Sequence, residues 1–263
     1  MTLLQRTLRT PYGDRTYLLA TPPAGRSPLG VVLSLHGSLS NAAQQAALSG
    51  MARLTGAGAV VAFPQAARPA HRGFVWDPAT DPEFILALAA SLNDEFAPVE
   101  RRVCLSGMSG GARMSCQVAW DHPERVWVVG AVAGVRCGAP PLPVRPVPVL
   151  AFHGTSDRIN PYPGGHDARW DMSVPDAVAG WARANGVTGG PTVTAVSPTL
   201  TRWTFGVEGA AGEVTLWTSQ GAGHTWPGGR LRPAVRLFLG RTSREVDATD
   251  AIWSFALAHR SAG

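Results

Sequence analysis

Gly107-Met108-Ser109-Gly110-Gly111 follows the apolar run Val103-Cys104-Leu105 and precedes Ala112 to His122, a segment whose pattern predicts a helix. Strand, G-x-S-x-G, helix is the context in which this pattern makes a nucleophile elbow. The chain turns so sharply there that the serine takes a strained backbone conformation, and only small neighbours fit around it. A strained serine at that point is placed for chemistry rather than for packing. With 30 glycines in the chain the five residues alone decide little, so the surrounding pattern must carry the reading.

That pattern is a series of short apolar runs: Val31 to Leu35, Ala59 to Phe63, Val103 to Leu105, Trp127 to Ala133 and Val149 to Phe152. Each is bounded on at least one side by Gly, Pro or a small polar residue, as expected of parallel strands covered on both faces. Helical patterns alternate with them. Asp81-Pro82-Glu83 opens one, with proline in the first turn where it is tolerated. Val174 to Asn185 ends at Gly186, a glycine stop. Asp247-Ala248-Thr249-Asp250 precedes a closing helix, Ala251 to His259, with its acids near the positive helix end. Between Pro191 and Ser219 the pattern changes to alternation, in Thr201 to Phe205 and Val214 to Trp217, which predicts further strands beside the last parallel one. Residues 1–20 read as a hairpin turning at Pro11-Tyr12-Gly13-Asp14. The sum is an α/β fold, a mostly parallel central sheet with helices on both faces. No linker or repeat divides it, so residues 1–263 are expected to form a single catalytic domain.

Composition excludes some functions. The formal charge is +5, and all 23 basic residues are Arg. They are scattered, and the densest group, Arg230, Arg232, Arg236, Arg241 and Arg244, lies in a loop-like stretch without adjacent positives. A nucleic-acid face shows clustered charge with a recognisable motif, and none is present. No apolar run approaches the roughly 18 residues of a membrane span. The three cysteines, Cys104, Cys116 and Cys137, have no metal spacing and read as buried thiols, with one disulfide the alternative. The sequence as given shows no basic region followed by an apolar stretch at its start, which implies a cytoplasmic protein; a secreted one is the alternative if the native start lies elsewhere.

A serine hydroxyl needs a base, and the base an orienting acid. In an open α/β sheet both belong at carboxyl ends of strands. Asp157 directly follows the run Val149 to Phe152, in His153-Gly154-Thr155-Ser156-Asp157; Asp171 and Asp176 are weaker rivals with no strand before them. His224 follows a strand ending near Ser219, in Gly221-Ala222-Gly223-His224, with His166 the competitor. The expected roles are Ser109 as nucleophile, His224 as base and Asp157 as orienting acid. Two donors should hold the oxyanion: the backbone N–H of Gly110 and that of Ser38, in the loop His36-Gly37-Ser38. His36 and His153 each begin an HG turn and read as structural hydrogen-bonders. Trp76 and Trp226 lie in loops where they either line a substrate pocket or join the core. No P-loop, dinucleotide fingerprint or HExxH is present.

With these residues in hand, the chain resembles the polyhydroxybutyrate-depolymerase-like and feruloyl-esterase-like branch of the α/β-hydrolases. The resemblance rests on Leu35-His36-Gly37, Arg102-Val103 through Ser109-Gly110-Gly111, His153 to Asp157 with Pro161-Tyr162-x-Gly164-Gly165, Gly223-His224-Thr225-Trp226-Pro227-Gly228-Gly229, and Asp247-Ala248-Thr249 with Ile252-Trp253-Ser254-Phe255. It implies an α/β-hydrolase fold without a large lid domain. It also implies a cofactor-free, metal-free serine esterase acting through Ser109, Asp157 and His224. The implied substrates are small or oligomeric esters, hydroxyalkanoates first, with feruloyl or acetyl esters of plant polysaccharides as the alternative. A serine peptidase or acyltransferase on the same triad is a further option, as is a catalytically silent binding protein. Ser38 stands where members of that branch often carry a disulfide-bonded cysteine.

Overall fold

Apolar runs buried along their whole length need cover on both faces, and they assemble here into the middle of one sheet. The computed structural model describes residues 3–25, 27–165, 170–230 and 233–260. The N-terminal hairpin pairs β1 (Leu4–Thr10) with β2 (Gly13–Ala20). β3 (Gly30–Leu35) follows, then α1 (Ala42–Ser49), a 3-10 helix (Met51–Ala57) and β4 (Ala59–Pro64). A small hairpin, β5 (Arg68–Ala70) with β6 (Gly73–Val75), leads into α2 (Asp81–Phe96), β7 (Val103–Met108) and α3 (Gly110–Asp121). β8 (Val126–Val132) and β9 (Val149–Gly154) precede α4 (Val174–Ala184). Then come β10 (Thr192–Ser197), β11 (Leu200–Phe205), β12 (Val214–Ser219), α5 (Pro233–Leu239) and α6 (Ala248–Ala258).

The main sheet has ten strands in the order β1-β2-β4-β3-β7-β8-β9-β12-β11-β10. The run from β4 to β12 is parallel throughout, and antiparallel strands complete both edges. From β3 the chain moves outward to β4, then returns to place β7 on the other side of β3. The order therefore reverses between β3 and β7, and ligands of open α/β sheets bind outside the carboxyl ends at such a switch point. The loops after β3 and β7, which hold Ser38 and Ser109, both leave the sheet there.

The two faces follow from strand periodicity. Val31, Leu33 and Leu35 of β3 point into a core with Ile85 of α2, Val118 of α3 and Trp181 of α4. Val32, between them, joins Ala46 of α1, Leu54 and Ile252 of α6 on the opposite face. α4 opens with Ser173 accepting from the Asp176 N–H, and α6 with Asp247 accepting from Thr249 and Asp250. Such caps satisfy amides that a helix start leaves unpaired.

Some elements differ from the sequence reading. β7 runs on to Met108, through the first two residues of the pentapeptide, and α3 starts at Gly110. The alternating region after Pro191 supplies three strands; its last, β12, is parallel to β9 and extends the parallel core. The arginine-rich stretch is not all loop, since Arg236 lies in α5; Arg232 lies outside the described residues. Cys104 and Cys116 are buried free thiols that burial pushes up to about 12, and Cys137 is free and half-buried. Among the described residues, no helix is long and apolar enough to cross a membrane.

Candidate active site

Ser109 stands between β7 and α3 with φ 55° and ψ −116°. A non-glycine residue held there carries roughly 1–3 kcal/mol of strain, which the surroundings must impose. They do so with backbone. The Ser109 N–H donates to the Val132 carbonyl at 2.9 Å, and its own carbonyl accepts the Arg113 N–H at 3.0 Å. A Cβ on Gly107 would lie 2.6 Å from the Gly111 carbonyl carbon, and one on Gly111 would lie 2.3 Å from the Leu35 carbonyl oxygen. These glycines let the start of α3 press against the ends of β3 and β7. Gly111→Ala therefore meets backbone, which cannot swing aside. We expect it to cost about 3 kcal/mol, read as a fall in Tm of about 2–4 °C per kcal/mol. An unchanged Tm would contradict the packing.

The loop after β3 faces this turn. A Cβ on Gly110 would lie 3.1 Å from the Ser38 backbone nitrogen, so the amides of Ser38 and Gly110 are neighbours. Neither N–H donates a hydrogen bond among the described residues. The loop is fixed from below by His36, whose Nδ1 donates to the Gly37 carbonyl (2.8 Å) while Nε2 accepts the Ala66 N–H (3.2 Å). Burial holds His36 below its usual pKa, matching that neutral tautomer. Trp76 Nε1 donates to the His36 carbonyl at 2.7 Å and its ring stacks on His36. Asp81, at the start of α2, accepts the Asp77 N–H at 2.7 Å and pairs with buried Arg15 at 2.5 Å. The segment carrying Trp76 is thereby tied to β2 and α2.

Asp157 and His224 come together although 67 residues separate them. His224 Nδ1 donates to Asp157 Oδ2 at 2.7 Å, and both side chains are buried. The two loops are stitched by the Ser156 N–H donating to the Ala222 carbonyl (2.9 Å). Asp157 Oδ1 accepts the N–H groups of Ile159 (2.9 Å) and Asn160 (2.8 Å). Asn160 in turn donates to the carbonyl of Ala133 at 2.6 Å, which ties the acid turn to the end of β8. Burial alone would push the Asp157 carboxyl up. The hydrogen bonds from His153 and His224 outweigh it and hold the group well below the usual carboxylate range, so it is an anion at neutral pH. With Nδ1 occupied, His224 Nε2 is its open nitrogen. Nε2 and Ser109 Oγ have no hydrogen-bond partner among the described residues; in free enzymes such bonds are often long and tighten on substrate.

The rivals fall elsewhere. Asp171 is exposed and pairs with Arg136, and Asp176 caps α4 with Ser173. His166 lies outside the described residues. His153 is buried, with Nε2 2.9 Å from the Asn160 carbonyl and 3.3 Å from Asp157 Oδ2. The tryptophans separate. Trp76 lines a cleft of about 1120 Å³ together with Ser38, Gly110, Met114, Trp120 and Leu142. Trp226 does not line this cleft: it is 0% exposed, packed in the α6-side core and donating to Thr249 Oγ1 at 3.2 Å. Its indole is consumed by the interior, so it leaves the set of pocket candidates. Among the described residues no three His, Cys, Asp or Glu side chains group as a metal ligand set.

No protein-family model matches the chain. It is 29% identical over 276 residues to a protein of Nocardia uniformis subsp. tsuyamanensis named "Putative esterase NocK", across 92% of this chain and 79% of that one. Among solved structures it is similar to an acetyl xylan esterase from Aspergillus awamori, with a TM-score of 0.65, 17% identity, and 86% and 94% of the two chains covered. XC6422 from Xanthomonas campestris, described as an α/β serine hydrolase without lid, aligns with a TM-score of 0.57 and 16% identity over 100% and 97% of the chains. Esterase 2 of Thermogutta terrifontis, phosphoramylated by tabun, gives 0.61 and 12% over 98% and 97%. The fold is that of the α/β-hydrolases.

Proposed function

We propose that the chain is a carboxylic-ester hydrolase that works through an acyl-enzyme on Ser109. The observation that carries this reading is the 2.7 Å bond between buried His224 and Asp157 at the same sheet end as the strained turn at Ser109. Ser109 Oγ attacks the ester carbonyl while His224 Nε2 takes its proton. The proton then passes to the leaving alkoxide, which departs as alcohol. Water, deprotonated by the same nitrogen, attacks the acyl-enzyme and releases the acid. Asp157 stabilises the imidazolium formed in each half-reaction and holds the ring in the tautomer with Nε2 bare. The N–H groups of Gly110 and Ser38 are the donors suited to the tetrahedral oxyanion, and each such donor is worth about 10²–10³ in kcat. The likeness to the Nocardia protein supports esterase chemistry.

The cleft supports a substrate that extends along α3 from the oxyanion donors. We read it as a hydroxyalkanoate ester, polymeric or oligomeric, as in polyhydroxybutyrate-depolymerase-like esterases. The indoles of Trp76 and Trp120 in its walls favour a second reading, a feruloyl or acetyl ester of a plant polysaccharide, and the resemblance to an acetyl xylan esterase agrees with it. A burst of p-nitrophenol equal to the enzyme concentration, with an acyl mass on the peptide containing Ser109, tests the chemistry. No burst and an unmodified peptide would refute it. Relative kcat/KM on hydroxybutyrate oligomers, methyl ferulate and acetylated sugars then decides between the two substrates.

A further inference from the structure

We infer that His153 is a positioning residue of this site, a second hydrogen-bond donor on the Asp157 oxygen that also receives His224. The inference rests on the triad reading above. His153 is the penultimate residue of β9, and the turn that follows brings Asp157 back beneath its ring, Nε2 lying 3.3 Å from Oδ2. Both atoms facing Nε2, the Asn160 carbonyl at 2.9 Å and the carboxylate, are acceptors. An imidazole nitrogen between two acceptors carries its proton. Nε2 is therefore the donor, shared between the two.

The carboxylate is then fully engaged. Two backbone N–H groups donate to Oδ1, His224 donates to Oδ2 at 2.7 Å, and His153 Nε2 stands 3.3 Å from that same oxygen. The His153 ring is held in place by Trp170, stacked at 5.6 Å, and by Tyr162, edge-on at 6.0 Å. Its side chain is buried, so the contact is not a surface accident. Among the described residues, the titratable groups facing the carboxyl are His224 from the loop after β12, His153 from β9 and, across the His153 ring, the Tyr162 phenol.

Two consequences follow. A second donor on Oδ2 fixes where the lone pairs point and so fixes the His224 ring. It also draws electron density from the oxygen that steadies the His224 imidazolium, since a hydrogen bond to the charged form of an acid lowers its basicity. Without His153, Asp157 would hold the imidazolium more strongly. Activity would then begin later on the acidic limb. A role in packing alone lowers Tm but moves neither limb nor tautomer.

The test compares wild type, His153→Leu and His153→Gln by the pH dependence of kcat/KM on a p-nitrophenyl ester. It also compares the low-field NMR proton on His224 Nδ1, which reads the Asp157 bond without turnover. His153→Leu should move the acidic limb upward by about half a pH unit, shift the low-field resonance and lower kcat several-fold. His153→Gln, whose amide donates from a similar reach, should restore limb and resonance towards wild type. If His153→Leu does not fold, His153→Asn replaces it, its shorter amide failing to span to Asp157, with the same expected shift. An unmoved limb and resonance in the donor-less variant overturn the inference, as does an equal loss of kcat in the leucine and glutamine variants with an unmoved limb. Failure of the triad reading shows separately, as turnover retained in Ser109→Ala.

Discussion

Ser109→Ala should abolish hydrolysis of p-nitrophenyl esters, with kcat falling by about 10⁶-fold, the size of effect seen when a nucleophilic serine is removed from a working triad. The two fully buried thiols cannot replace it. Cys104 and Cys116 are buried with thiol pKa values pushed up to about 12, which leaves essentially no thiolate at neutral pH. The protein itself should hardly notice. Ser109 Oγ makes no capping bond, and the strain at φ 55° resides in the backbone, where alanine is held as serine is. Tm should stay within about a degree, because the Ser109 hydroxyl has no hydrogen-bond partner among the described residues and its removal leaves no buried group unpaired. Ser109→Gly separates strain from chemistry. It should be equally inactive yet more stable by about 1 kcal/mol, since glycine adopts this conformation without penalty. Turnover in Ser109→Ala above about 1% of wild type would remove Ser109 from the mechanism.

The elbow is legible in the sequence because its determinants are local. Gly107 and Gly111 are required by atoms within a few residues or by the adjacent end of β3, so the motif and its flanking strand and helix state the same requirement. The parallel strands are legible for a related reason: burial on both faces removes the polar alternation and leaves continuous apolar runs. Asp157 could be proposed because it follows such a run, and His224 because it follows the alternating strand that ends near Ser219, both at the carboxyl end of the sheet. Their mutual contact, and the stitch from Ser156 to Ala222, are products of β9 and β12 lying side by side.

What was not legible lacks a local signature. The burial of Trp226 depends on Thr249, 23 residues onward in α6, and Trp-Pro-Gly-Gly reads as an open loop without it. β10 is an edge strand exposed along nearly all its length, so no buried face marks where it begins and ends. α1 is built largely from Ala and Gln and shows only a faint apolar stripe. α5 has no helical signature in the sequence because Leu237 and Phe238 point outward, which defeats any amphipathic pattern. His153 could be seen as a structural hydrogen-bonder, but its partner could not be named: an i,i+4 pair facing each other normally implies a helix, and here a turn after a strand makes the contact.

The second large effect belongs to Asp157→Asn, and its sign comes from the three hydrogen bonds the carboxylate accepts. Oδ1 accepts two backbone N–H groups, so an asparagine must leave its amide oxygen there. Its NH₂ then takes the place of Oδ2, facing His224 Nδ1, and a donor now meets a donor. The ring resolves the conflict by moving its proton to Nε2, and that nitrogen can no longer accept a proton from Ser109. We expect kcat to fall by about 10⁴-fold, the cost of presenting the wrong histidine tautomer, with KM little changed because no substrate contact is lost. The amide also confronts the Nε2–H of His153, so the variant should lose about 1–3 kcal/mol of stability from mismatched buried polar groups. Asp171→Asn serves as the control. That side chain is exposed and, among the described residues, pairs only with Arg136, so its removal should change kcat less than twofold and leave stability almost unchanged. The low-field proton on His224 Nδ1 should vanish in Asp157→Asn and persist in Asp171→Asn. If the two variants exchanged their effects on kcat, the orienting acid would be Asp171, and the 2.7 Å bond between Asp157 and His224 would hold the two loops together without serving the proton transfer.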